Sequence, residues 1–301
     1  MKKGCARAVG ISLLSLGVAV ALIEGVAGVR VRRLRAERAR LGNLLHTEIR
    51  GQGDPVVFLA GLPATTHFWQ GSFDPLAKTR RLIFVDALGF GRSPLPDVEY
   101  TLEDHLGALR RTLIAQGATL RVTFVAHSFG TLLAANYAAR YPDEVERLFL
   151  LGTPVFSGER EAREHIREMS PMSGVFTLNS VLAREACKLH EATLSPALAR
   201  IVPRFMPGTP REVAREGLLH TWQSFDGTLR NVVLSKPVAV PLQQLGPKVL
   251  FFHGREDHIT ALERVRELAS AIGARVVETG DDHLSYPSRS AGRILAALEA
   301  R

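Results

Sequence analysis

The chain has 301 residues, enough for one large domain or two small ones with a substantial hydrophobic core. Apolar residues make up 46% and charged residues 23%, which excludes a disordered, fibrous or low-complexity chain; with only Cys5 and Cys187, far apart, a disulfide framework or cysteine-rich zinc site is excluded too. The net charge of +8 is concentrated at the start, where residues 1–40 hold nine basic residues against Glu24 and Glu37, so the nearly neutral remainder offers no basic groove for nucleic acid.

Residues 8–29 are apolar or small except for Ser12, Ser15 and Glu24. About 20 such residues span a hydrocarbon core, so the expectation is a single N-terminal transmembrane helix. The alternative is a cleaved secretory signal, with Lys2, Lys3 and Arg7 as its basic start and Ala19-Val20-Ala21 as a small-residue cleavage pattern. Six arginines follow the apolar run and three basic residues precede it, which favours a membrane-anchored protein whose catalytic domain faces the cytoplasm. Signal cleavage would instead leave a secreted or periplasmic protein. Residues 1–40 are thus read as membrane anchor and basic linker.

Short apolar runs at 56–60, 82–85, 122–126, 148–151 and 249–252, and a weaker one at 275–278, read as buried strands. Helical periodicity at 102–116, 131–140 and 261–272 alternates with them, which predicts a mostly parallel sheet with helices on both faces. One early strand falls within 44–49. The alternation stops after Pro154 and resumes near Gly246. Between them lie helical patches at 159–169, 178–194 and 211–217, broken by prolines at 171, 196, 203, 207 and 210, which read as a helical insertion. The division is therefore a core at 41–154 and 246–301 with an insertion at 155–245.

The sharpest chemical signal is Ala126-His127-Ser128-Phe129-Gly130, between a strand and a helix. A serine on such a tight turn presents its hydroxyl above the sheet, and small neighbours relieve the crowded backbone; Ala126 stands where Gly is usual. A hydroxyl nucleophile needs a base, and the base an orienting carboxylate. Asp257 and His283 follow in the required order, each after a predicted strand, so they join Ser128 as the candidate catalytic residues. His127, His253 and His258 compete for the base, and Glu256 and Asp282 for the carboxylate.

Backbone amides must also meet the developing oxyanion. Phe129, after the serine, supplies one, and Leu62 in Gly61-Leu62-Pro63 the other. Phe68, Trp69 and Phe73 nearby suit either a pocket wall or the core. Residues 86–93 lack the spacing of a nucleotide-binding loop and read as structural.

With these motifs in this order, over about residues 54–155 and 246–301, the chain resembles the alpha/beta-hydrolase superfamily. The resemblance is to its capped, lipase- and esterase-like branch, which includes meta-cleavage carbon-carbon hydrolases and membrane-anchored monoacylglycerol lipases. It departs at Ala60, where His is frequent, and at Asp282, where Gly is common before the histidine. The resemblance implies that residues 155–245 form a cap over the site. It also implies hydrolysis of carboxylic esters, lipid or acylglycerol esters among them, through an acyl-enzyme, with no metal or organic cofactor. The expected partners are a small-molecule or lipid ester and, through the N-terminal helix, the membrane. Carbon-carbon or amide hydrolysis on the same residues, and a non-catalytic binding protein with a vestigial triad, are the alternatives.

Overall fold

The order of the strands in space explains where a ligand can bind. The structure is a computed structural model, which describes residues 2–40, 42–69, 71–169, 178, 180–193 and 217–300. Seven strands form one sheet: β1 (Thr47–Arg50), β2 (Pro55–Leu59), β3 (Arg81–Val85), β4 (Val122–His127), β5 (Val145–Leu151), β6 (Val249–Gly254) and β7 (Arg275–Thr279). Their order is β1-β3-β2-β4-β5-β6-β7, and every pair is parallel except the β1–β3 edge. The chain leaves β2 towards one edge to form β3, then returns to lay β4 on the other side of β2. The carboxyl ends of β2 and β4 therefore flank a switch point, where open parallel sheets bind ligands.

Burial follows the pleat. Along β2, Val57 and Leu59 join one apolar cluster and Val56 and Phe58 the other, as successive side chains point to opposite faces. Helices α2 (Leu102–Ala115) and α3 (Phe129–Arg140) supply Leu106, Leu109, Leu113, Leu132 and Leu133 to the first cluster. The second holds Phe68, Trp69 and Phe73, which are buried beside Phe58, so these three aromatic rings belong to the core. Thr101 and Asp104 form a reciprocal capping box that starts α2.

Between β5 and β6 the described residues form helices and turns: α4 (Glu159–Met169), α5 (Ser180–Thr193), α6 (Trp222–Thr228), a π-helical turn at Leu229–Val233 and α7 (Ala239–Leu242). The five prolines singled out in this stretch, and the predicted helix at 211–217 apart from Gly217, lie outside the described residues. After β6 come α8 (Leu262–Ile272), then β7, α9 (Tyr286–Arg289) and α10 (Ala291–Glu299).

The N-terminal expectation needs correction. Residues Lys2–Ala39 form one helix, α1, but among the described residues no helix is long and apolar enough to cross a membrane. The single-pass anchor, the membrane as partner and the localisation built on them fall with that finding. The physical reason is visible in three charges of α1, at positions 24, 35 and 38, which have partners elsewhere in the protein. Glu24 pairs with Lys188 of α5, Arg35 bonds Gln223 of α6 and reaches Asp97 at 3.4 Å, and Arg38 donates to the Ser93 carbonyl at 3.2 Å. Ala27 is buried as well. The basic run is thus the end of a helix that rests on folded protein.

Candidate active site

Strand β4 runs one residue further than predicted, and α3 begins directly at Phe129, leaving Ser128 alone in the turn. Its φ of 51° and ψ of −121° lie in a region that non-glycine residues rarely occupy, a strain typical of functional positions. The turn is held by hydrogen bonds from Ser128 N to Leu151 O (3.0 Å) and from Thr131 Oγ1 to Ser128 O (2.6 Å). Gly130 is required, because a Cβ there would stand 2.4 Å from the Leu59 carbonyl oxygen. Ala126 is accommodated, fully buried.

Ser128, Asp257 and His283 meet although each follows a different strand. His283 Nε2 lies 3.0 Å from Ser128 Oγ, and His283 Nδ1 lies 2.9 Å and 3.1 Å from the two Asp257 oxygens. The serine hydroxyl donates to Nε2, and the Nδ1 proton is donated to the carboxylate. Asp257 also accepts from Ile259 N, Thr260 N, Thr260 Oγ1 and the Tyr286 hydroxyl, at 2.9 to 3.0 Å. Burial alone would raise this carboxyl, but the hydrogen bond and charge of His283 and the two bonds from Thr260 outweigh it. They hold Asp257 well below the usual carboxylate range.

The competing residues are placed elsewhere. His258, Glu256 and Asp282 are exposed; Glu256 pairs with Arg289, and Asp282 accepts from Leu284 N. His253 is buried, bonds the Thr260 carbonyl oxygen, and is pushed down by burial. His127 is buried against Phe68 and bonds the His283 carbonyl oxygen at 2.7 Å, so its Nε2 carries the proton. Burial, then the nearby His283, keeps it neutral.

Phe129 opens α3, where the first backbone N–H groups have no acceptor within the helix and point outward. Gly61 packs so tightly on the serine turn that a Cβ would stand 2.9 Å from both Ser128 Cβ and His127 Nδ1, which sets Leu62 beside the same turn. Asp86, read as structural, accepts from Thr66 N and Arg92 N and so pins the segments after β2 and β3. Among the described residues no cluster of three His, Cys, Asp or Glu is placed to hold a metal ion. Sequence reasoning overlooked Thr260, Tyr286 and the bond from His127; the first two lie three residues after Asp257 and His283, a spacing that could have drawn notice.

Residues 54–288 match the model of the alpha/beta hydrolase fold family, and the chain belongs to that family. Its similarities to curated proteins are more distant. It is 27% identical over 256 residues to the probable lysophospholipase BODYGUARD 3 of Arabidopsis thaliana, covering 76% of this chain and 51% of that protein. It is 35% identical over 121 residues to a cis-3-alkyl-4-alkyloxetan-2-one decarboxylase of Shewanella oneidensis, covering 39% of this chain and 38% of that protein. The chain thus spans about half or less of the length of these relatives. Among solved structures it is similar to the enol-lactonase of Burkholderia xenovorans, with a TM-score of 0.62 and 21% identity over 85% of this chain and 96% of that one. Family membership and the hydrolase names among its relatives support a hydrolase.

Proposed function

We propose that the protein hydrolyses carboxylic esters through an acyl-enzyme. The observation that carries this reading is the continuous hydrogen-bonded chain from Ser128 Oγ through His283 to Asp257. Ser128 Oγ attacks the ester carbonyl as His283 Nε2 takes its proton, and Asp257 holds the imidazole in the required tautomer and stabilises the imidazolium. The Leu62 and Phe129 amides receive the oxyanion. His283 then gives its proton to the departing alcohol, and water, deprotonated by the same nitrogen, releases the acid. Every proton is handled by His283, so the sequence of steps needs no cofactor.

The helices within 155–245 act as the cap of a core at 41–154 and 246–301. Ala162, Ile166, Leu229 and Leu234 form a buried apolar cluster against which Leu62, Phe156 and Phe225 pack half-buried. An apolar surface reaching the oxyanion segment suits a hydrocarbon acyl chain, in keeping with the lysophospholipase name of one relative. The test is turnover of p-nitrophenyl esters from two to sixteen carbons, and of a monoacylglycerol, by the full chain. Ser128→Ala should lower kcat by at least about 10⁴-fold with an unchanged melting temperature. Ester turnover that survives the substitution would refute the reading. Absence of turnover by the parent, with no labelling by a fluorophosphonate, would favour a vestigial site.

A further inference from the structure

Asp257 is crowded with donors, and one of them does more than hold it in place. The Tyr286 hydroxyl donates to Asp257 Oδ2 at 3.0 Å and accepts from Gly254 N at 3.0 Å. Because that lone pair is taken by the amide, the hydroxyl proton has one direction left, towards the carboxylate. Tyr286 is fully buried, and burial, then the nearby Asp257 charge, pushes its phenol up, so it is a donor throughout the working pH range. A Cβ at Gly152 would stand 2.9 Å from Asp257 Oδ2 and 3.2 Å from the Tyr286 hydroxyl, so no side chain fits that side of the pair. The phenol therefore shares Oδ2 with His283 Nδ1, which lies 2.9 Å from the same oxygen.

We propose that Tyr286 is a positioning residue that sets the basicity of His283 by withdrawing charge from Asp257 Oδ2, an inference that rests on the Ser128, His283 and Asp257 reading above. The groups facing this pair from the surrounding elements are few. His127 of β4 lies with its ring 4.6 Å from that of His283, and His253 of β6 bonds the Thr260 carbonyl. Thr260 supplies the second hydroxyl on Oδ2 at 2.9 Å. Asp281, buried near Tyr286, is engaged by Ser290 and Ser285. Both neighbouring histidines are held below the ordinary imidazole value, chiefly by burial, and Asp257 is held well below the usual carboxylate range, so around neutral pH the two histidines are neutral and Asp257 is ionised.

Removing the phenol hydroxyl returns negative charge to Oδ2 and so favours the protonated form of His283. The experiment follows the second-order rate of Ser128 labelling by paraoxon against pH, in the full chain, with Ser128→Ala as control. In Tyr286→Phe the acid limb of the profile should move up by about half a pH unit or more, and the plateau should fall roughly 3- to 10-fold as the carboxylate loosens. Kcat for a short p-nitrophenyl ester should fall with the plateau while KM holds. Placing 3-fluorotyrosine at position 286 keeps the bond from Gly254 N and strengthens the donor, so its acid limb should move down. This second variant preserves the buried amide's partner and covers the case in which Tyr286→Phe does not fold. An acid limb that stays in place in every variant that folds, whatever happens to the melting temperature, overturns the proposal. Labelling of the parent that does not depend on Ser128 overturns the catalytic reading itself, and the role of Tyr286 with it.

Discussion

Two buried charges anchor different parts of this molecule, and they are compensated to different degrees. Asp257, at the carboxyl end of the sheet, gathers four donors besides His283, and the hydrogen bond and charge of His283 with the two bonds from Thr260 outweigh the penalty of burial. Arg38, where α1 meets the core, donates to the Ser93 carbonyl and is helped by the charge of Asp86, yet burial wins and pulls its guanidinium down to about 10. The first arrangement is a preorganised charge that a reaction can use. The second is a tether whose ionic character contributes little, because desolvation offsets the attraction.

The sharpest way to break the comparison is at Asp257. Asp257→Asn should lower kcat by about 10³- to 10⁴-fold, since the amide cannot fix the imidazole tautomer. Steady-state kinetics on a short ester checks this, and a loss under tenfold would remove Asp257 from its proposed role.

Next in size is a pH effect at a third buried site. His105 of α2 bonds Thr228 Oγ1 at 2.9 Å, and burial lowers it to about 4. Its folded value lies below the unfolded one of about 6.5, so the unfolded chain binds the extra proton between them. The stability that neutral His105 confers is therefore complete above pH about 6.5 and is lost as pH falls to about 4, by about 3 kcal/mol. Urea midpoints across that window measure it, and His105→Gln should flatten the slope.

Arg38 is expected to respond more mildly. Arg38→Met keeps the aliphatic stem and removes the desolvated charge, so unfolding free energy should change by about 1 kcal/mol or less, whereas Arg38→Ala, which leaves a gap, should cost more. Equal losses in both variants would show that the charged hydrogen bond to the Ser93 carbonyl itself holds α1. Smallest of all is Arg33→Ala, which removes an exposed pair with Glu37 within the same helix and should leave the melting temperature unchanged.

The strand runs and the serine turn were legible because each is a local pattern. β2 to β7 fall where short apolar runs stand, and Gly130 reports its own crowding, since the turn cannot form with a side chain there. The edge strand was legible as a run but not as antiparallel. That depends on β3 being placed beside it.

Residues 8–29 were misread for the converse reason. Hydropathy treats lipid and water as the only surroundings on offer, whereas the partners of α1 lie far along the chain. Arg35 and Gln223 are 188 positions apart, and Glu24 and Lys188 are 164. Tyr286 was hidden in the same way, brought to Asp257 across 29 positions by β7 and the turn after it.

By itself the sequence determined the alternating strands and helices, the turn around Ser128 and the order of the three candidate residues. All of these are set by interactions within a few residues: pleat, helical period and backbone crowding. Only the tertiary structure decided that α1 rests on protein, that Phe68, Trp69 and Phe73 are core, and that Tyr286 donates to Asp257. Those outcomes depend on which distant groups are brought within hydrogen-bonding or contact distance once the sheet is assembled, and no local pattern carries that information.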